Sequence, residues 1–312
     1  MDGKPNAIKQ TAAFTARNIK LFFKDKGMLI SALIAPLIIL FLYVVFLHSV
    51  LKSSFTSSLP AEFVLSERLM NGYIAAYEIS SILAVCCVTV AFMANMAMVE
   101  DKITGARADL TVAPVKGRVL VLGYYFATAA VTVTICFIAM LVGFCYIAAM
   151  GWYLSVSDVF LIILDVLLAS LFGTALSSVV CYFLKSRGAI SAVSTTVSAV
   201  YGFVCGAYYP ISQFSSGIAN TVMCLPWTYC TGLLRSHFML GYGGGFADAG
   251  VPAEAVEEIL HALDAKMSFF GTGVPVWAMY IVVVCSVLVL VGIFVMLNTI
   301  KRRKKVRLMR NS

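Results

Sequence analysis

Residues 275–305 read PVWAMYIVVVCSVLVLVGIFVMLNTIKRRKK, and this stretch decides the fold. Residues 275–299 contain no Asp, Glu, Lys or Arg. As a helix rising about 1.5 Å per residue, that run is long enough to cross a hydrocarbon core of about 30 Å. The block Lys301-Arg302-Arg303-Lys304-Lys305 follows at once. An apolar run closed by a cationic block is the pattern of a membrane span anchored on its cytoplasmic side, where anionic lipid also attracts it.

Working outward, five more segments pass the same test of length and polarity, at about 28–48, 73–98, 119–149, 159–184 and 189–209. Composition agrees. The 312 residues are 61% hydrophobic and 12% charged, where a soluble domain carries about 25% charged residues. The net charge of +8 flanks apolar runs and forms no soluble basic patch, so nucleic acid is not an expected partner. The inside segments 1–27, 99–118, 185–188 and 300–312 hold 19 basic residues, and the outside segments 49–72, 150–158 and 210–274 hold four. That asymmetry puts both termini in the cytoplasm and fits a multi-pass protein of a bacterial plasma membrane. A polar stretch precedes the first span, so no cleavable signal peptide is expected.

The expected fold is therefore an all-α integral membrane protein, a single transmembrane domain over 1–312 with six transmembrane helices. Residues 1–27 form an N-terminal amphipathic interfacial helix. Residues 28–240 hold spans 1–5, 241–274 form an extracellular cap, and 275–312 hold span 6 and the basic tail.

Three features lie outside the spans. In the first, Ile8, Ala12, Thr15, Ile19, Phe22 and Phe23 recur at helical spacing and define an apolar face. Phe14 and Leu21 fall off that face and imply a second covering surface. The second is the charged loop 99–118, which is either a solvated connection or a short helix from about Asp101 to Val112 ended by Pro114. The third begins at Pro210. Ile211 to Leu240 is too apolar for a free loop, yet Pro210, Pro226 and Gly232 interrupt it. Two re-entrant outer helices between spans 5 and 6 fit it, buried by protein. Beyond Gly243-Gly244-Gly245, an acidic helix is expected over Pro252 to Lys266.

Two motifs stand in order along the chain: Glu100-(x4)-Gly105-(x4)-Leu110-(x3)-Pro114 with Gly123 after it, and Gly206-Ala207-Tyr208-Tyr209-Pro210-Ile211-Ser212 followed by Leu225-Pro226-Trp227-Thr228-Tyr229 and Leu234-Arg235. Together they make the chain resemble the permease subunit of type-2 ABC exporters over nearly its whole length. The resemblance implies an ATPase-coupling loop at Glu100, Gly105, Leu110 and Pro114. It implies an outer gate of re-entrant helices with Tyr209, Pro210, Pro226, Tyr229 and Arg235, and an N-terminal helix packed beside the ATPase. It also implies two cytoplasmic ABC ATPase subunits and a second permease, identical or not, in contact with membrane lipid. The expected activity is ATP-driven export of a hydrophobic or amphipathic compound such as a drug, peptide antibiotic or lipid.

No G-x-x-x-x-G-K-[ST] sequence is present. ATP and Mg would therefore sit on the partner, and this chain is not expected to be an enzyme or to hold a cofactor. The histidines His48, His237 and His261 form no metal-ligand spacing. Nine cysteines include no CxxC pair and fall mostly in apolar runs, so no disulfide scaffold is expected, and Cys224 with Cys230 is the only plausible bridge. Candidate pathway residues are Ser194, Thr195, Ser198 and Gly202 in the fifth span, where Gly202 and Gly206 also make a helix-packing GxxxG spacing. Glu78 and Asp165, ionisable within spans, are the other candidates. A cation-driven secondary transporter would place such groups near the midplane, often with inverted repeats, and neither is evident. A membrane enzyme would cluster His, Asp, Glu or Ser at one face. A non-transporting immunity or sensor protein has no contrary signal in the composition.

Overall fold

The computed structural model describes residues 7–43, 45, 48–58, 65–106 and 117–311, with backbone alone at 31, 35, 54–58, 198 and 301–311. The helices are α1 (Ala7–Lys24), α2 (Lys26–Leu42), α3 (His48–Ser58), α4 (Glu67–Ala94), α5 (Met96–Ile103), α6 (Gly117–Met150), α7 (Val156–Phe183), α8 (Arg187–Val204), α9 (Ser216–Met223), α10 (Pro226–Met239), α11 (Tyr242–Asp248), α12 (Ala253–Ala262) and α13 (Val276–Asn311). Strands β1 (Ser268–Phe269) and β2 (Thr272–Gly273) form a small antiparallel hairpin within this helical chain, a feature that apolar periodicity gave no sign of.

Among the described residues, four helices are long and apolar enough to cross a membrane: Glu67–Ile103, Gly117–Met150, Val156–Phe183 and Val276–Ile300. A fifth is counted if Ala7–Lys24 and Lys26–Leu42, which bend by 78° at Asp25, act as one. Asp25 starts α2 by accepting a hydrogen bond from the Met28 amide at 3.1 Å. The chain is thus a multi-pass α-helical membrane protein.

Helix α4 is the centre of the bundle. Its apolar stretch is 83% buried within the chain, against 11% for the last helix. It packs on α2, α3, α6, α7, α8, α10 and α11. It starts at Glu67, six residues before the expected boundary, because Ser66 caps it by accepting from the Leu69 amide. Likewise Ser155 and Asp158 close a capping box at the start of α7. Close packing of α4 on α7 requires Gly173, where a Cβ would strike the backbone carbonyl of Cys87.

Several expectations are corrected. Of the expected apolar face of α1, Phe22 is buried but Ile8 is 76% exposed, and the buried side is completed by Phe14 and Asn18 from outside that face. Helix α1 lies against α6, where the Phe14 ring meets Tyr124 edge-on at 4.9 Å over the bare Cα of Gly123. The surface that covers Phe14 therefore belongs to this chain. Helix α5 continues the α4 span from Met96 to Ile103, with Gly105 at φ +80° beyond it, and the latter half of the short helix expected from about Asp101 to Val112 falls outside the described residues. Leu110, Val112 and Pro114 lie outside the described residues. The triple glycine lies inside α11, whose Tyr242 and Phe246 are fully buried against Tyr73, so this part of 241–274 is not a free cap. All nine cysteines are free, Cys224 and Cys230 included.

Gly173→Ala and Gly123→Ala separate two kinds of close contact. The first pushes on rigid backbone and should cost about 1–3 kcal/mol. The second pushes on a ring that can turn and should cost less. Thermal unfolding of the two purified variants should rank Gly173→Ala below Gly123→Ala.

Candidate functional site

The two ends of α4 carry different chemistry. At the end that continues into α5, three consecutive charged residues are each tied to a different helix. Glu100 accepts two hydrogen bonds from the guanidinium of Arg187, the first residue of α8. Asp101 accepts from Arg17 of α1 at 3.3 Å and from the Tyr124 hydroxyl of α6 at 2.7 Å. Lys102 donates to the carbonyls of Cys181 and Tyr182 at 2.8 and 3.1 Å. Those carbonyls are at the C-terminal end of α7, where a cation is favoured by the helix dipole. One turn deeper, at the α4–α5 break, buried Asn95 donates to Ser177 and Ser178 and accepts from Thr128. The segment that leads into the charged loop thus ties four helices together.

At the other end lies a clamp around Arg235 of α10. Its side chain has no exposed surface. Its guanidinium donates to Asp264 at 2.7 Å, to the Gly206 carbonyl and to Ser81 at 3.2 Å. It also stands 4.4 Å from the centre of the Tyr77 ring. Asp264, 3% exposed and at φ +57°, accepts in addition from the backbone amides of Ile211 and Ser212 at 2.5 and 2.9 Å. Gly206 reaches this arrangement at φ +77°, a left-handed conformation that ends α8 early and turns the chain toward Pro210. Arg235 was marked by a motif. Asp264 was not, since no local spacing joins residues so far apart.

The other residues of the second motif serve this turn. Pro210 precedes a 3₁₀ turn, Ile211–Gln213. Pro226 opens α10 in its first turn, where a missing amide costs nothing. Tyr229 is buried, while Tyr209 is half exposed and stacks near Phe214.

Glu78 and Asp165 prove to be centres of two three-helix contacts. Asp165 of α7 lies 2.5 Å from His237 Nδ1 of α10 and accepts from the Tyr280 hydroxyl of α13 at 2.6 Å. Glu78 of α4 lies 3.2 Å from His48 Nδ1 of α3 and accepts from the Tyr146 hydroxyl of α6 at 3.1 Å. The histidines, scattered in sequence, gave no hint of these pairings. Among the described residues no group of three His, Cys, Asp or Glu could hold a metal.

The fifth-span candidates divide. Ser194 is buried, whereas Thr195 is exposed and bonds back to the carbonyls of Ser191 and Ala192. Gly202 is covered by the Tyr208 ring of its own chain, so its spacing with Gly206 serves a local turn. The side chain of Ser198 lies outside those described.

Removing either member of the Arg235–Asp264 pair leaves a buried charge without its partner, which costs about 3–5 kcal/mol. Arg235→Met and Asp264→Leu should each sharply lower the melting temperature and yield. The double variant should recover part of the loss, because it removes the unpaired charge while the Ile211 and Ser212 amides and the Gly206 carbonyl still lose their partners. Thermal unfolding of the three variants tests this, and equal additive losses would contradict it.

Among curated proteins compared with this chain, none matches. A family model described as ABC-2 type transporter matches residues 9–239. The matched segment runs from α1 through the elbow at Glu100 to the clamp residue Arg235, and it takes in both motifs. The family's membrane subunits are in general permeases that work with an ABC ATPase subunit. By a match over most of its length, this chain belongs to the ABC-2 type transporter family.

Proposed function

We propose that this chain is the membrane subunit of an ATP-driven exporter of hydrophobic or amphipathic compounds. It would pair with a second permease and two cytoplasmic ATPase subunits, which bind ATP and Mg. The observation that supports the reading is the elbow at Glu100, Asp101 and Lys102. A force applied to the loop beyond Thr104 meets three side chains tied to α1, α6, α7 and α8. Those helices would then tilt together as rigid bodies. Gly105, Leu110 and Pro114 belong to the loop the ATPase would touch.

The topology in this reading has six spans, adding α2 and α8 to the four helices of clear length. The 18 residues of α8 rise about 27 Å at 1.5 Å each. Both termini and the elbow face the cytoplasm of a bacterial cell, and the clamp faces outward as part of the gate. The exposed side of α8 carries Ser191, Thr195 and Thr196. Hydroxyls suit a protein partner or a wet path better than lipid, which favours the second permease or the pathway there.

Two measurements test the proposal. Gentle extraction of the tagged chain should bring down a near-stoichiometric partner carrying a Walker A sequence. Absence of such a partner from an intact, monodisperse preparation would sink the reading. In the assembled complex, Arg187→Glu should cut transport about tenfold while ATP hydrolysis persists. The swap Glu100→Arg with Arg187→Glu should restore much of the transport.

A further inference from the structure

A cavity of about 450 Å³ opens at the clamp end, between α9 and the β1–β2 hairpin. Cavities of that size enclose small organic ligands. Its walls differ in chemistry. Phe214, Met223 and Phe270 give an apolar side, while Asn220 and His261 give hydrogen-bonding groups. Asp264 and Lys266 are the charged residues of the wall, and both are already paired. Asp264 is held by Arg235 and two backbone amides. Lys266 lies 2.6 and 2.7 Å from the two carboxylate oxygens of Glu257. This hydrogen bond holds the exposed Glu257 carboxyl below its ordinary pKa.

The hairpin tip adds a second observation. Phe270 sits at φ +49° and Gly271 at φ +76°. A two-residue hairpin turn with both residues left-handed favours Asn-Gly or Asp-Gly. Phenylalanine is strained there. Its side chain is 72% exposed, so little packing within the chain offsets that strain. The strained residue is also the one that walls the cavity, and Asn220 Oδ1 fixes it by accepting from the Phe270 amide at 3.0 Å.

We propose that this cavity binds an uncharged amphipathic small molecule. Its apolar body lies against Phe214, Met223 and Phe270, and its hydrogen-bonding groups face Asn220 and His261. A charged ligand would find every fixed charge of the wall already engaged and would lose hydration without compensation. Methionine at Met223 lets the apolar wall adapt to bodies of different shape. Binding here does not depend on the transport reading and needs no nucleotide.

The test uses the full chain in lipid nanodiscs. The probe is octyl glucoside with a diazirine in its alkyl chain, and labelled peptides are mapped by mass spectrometry. Label should concentrate in residues 211–223 and 261–271, saturate, and be displaced by plain octyl glucoside. Phe270→Gly relieves the strained turn, so a purely structural role predicts no loss, whereas the binding role predicts labelling about fivefold lower. Ser216→Trp, at an exposed rim position, should block the cavity to a similar degree. Ile218→Ala, outside the wall, should leave labelling unchanged. An alkyl sulfate with the same diazirine should label these peptides far less. Unsaturable label spread along α13, undiminished label in both Phe270→Gly and Ser216→Trp, or equal labelling by the sulfate would overturn the proposal. None of these outcomes bears on whether an ATPase co-purifies.

Discussion

A guanidinium with no exposed surface has to be neutralised and hydrogen-bonded by its own protein, and Arg235 imposes that demand on everything around it. Its partners come from three places in the chain. Ser81 and Tyr77 belong to the central helix, Gly206 ends α8, and Asp264 follows α12. Asp264 in turn holds the amides that start the 3₁₀ turn at Ile211. The early end of α8, the position of α10 and the docking of the 250–266 region all follow from the need to satisfy this one cation. Such an arrangement is stiff in one state.

The opposite end of α4 solves a different problem. Its ion pairs are partly exposed: Arg187 is 69% exposed beside Glu100. Exposed pairs contribute little stability, about 0–1 kcal/mol each. Their value is geometric, because they fix where α1 and α8 sit relative to one segment. Between the two ends runs a helix with almost no free surface, closely opposed to α7 at Gly173 and pinned by Asn95. A rigid, central helix with a weakly held end and a strongly held end is suited to carry displacement rather than absorb it.

The contacts of Asp165 and Glu78 follow the same constraint. A carboxylate within an apolar bundle needs donors, and a histidine and a tyrosine from two other helices supply them in each case. These contacts join α7 to α10 and α13, and α4 to α3 and α6, so they add cross-links beside the clamp, where hydrophobic packing alone distinguishes poorly between helix registers.

Much was legible in the sequence by itself. Apolar runs of span length set the helical membrane fold, because a chain in lipid must satisfy its backbone internally. Pro226 was read as a break in the apolar run and opens a helix, whereas the caps at Ser66 and at Ser155 with Asp158 and the turn at Gly206 shifted helix ends away from the boundaries read from apolar runs. The order of the two motifs indicated the family that the match over residues 9–239 shows. Tertiary structure alone decided which apolar face of α1 is buried, since Phe14 finds its place only against Gly123 and Tyr124. It alone paired Arg235 with Asp264, His237 with Asp165 and His48 with Glu78. The reason is physical: periodicity reports the environment of one helix at a time, while the partner of a buried charge is chosen by which helices pack side by side.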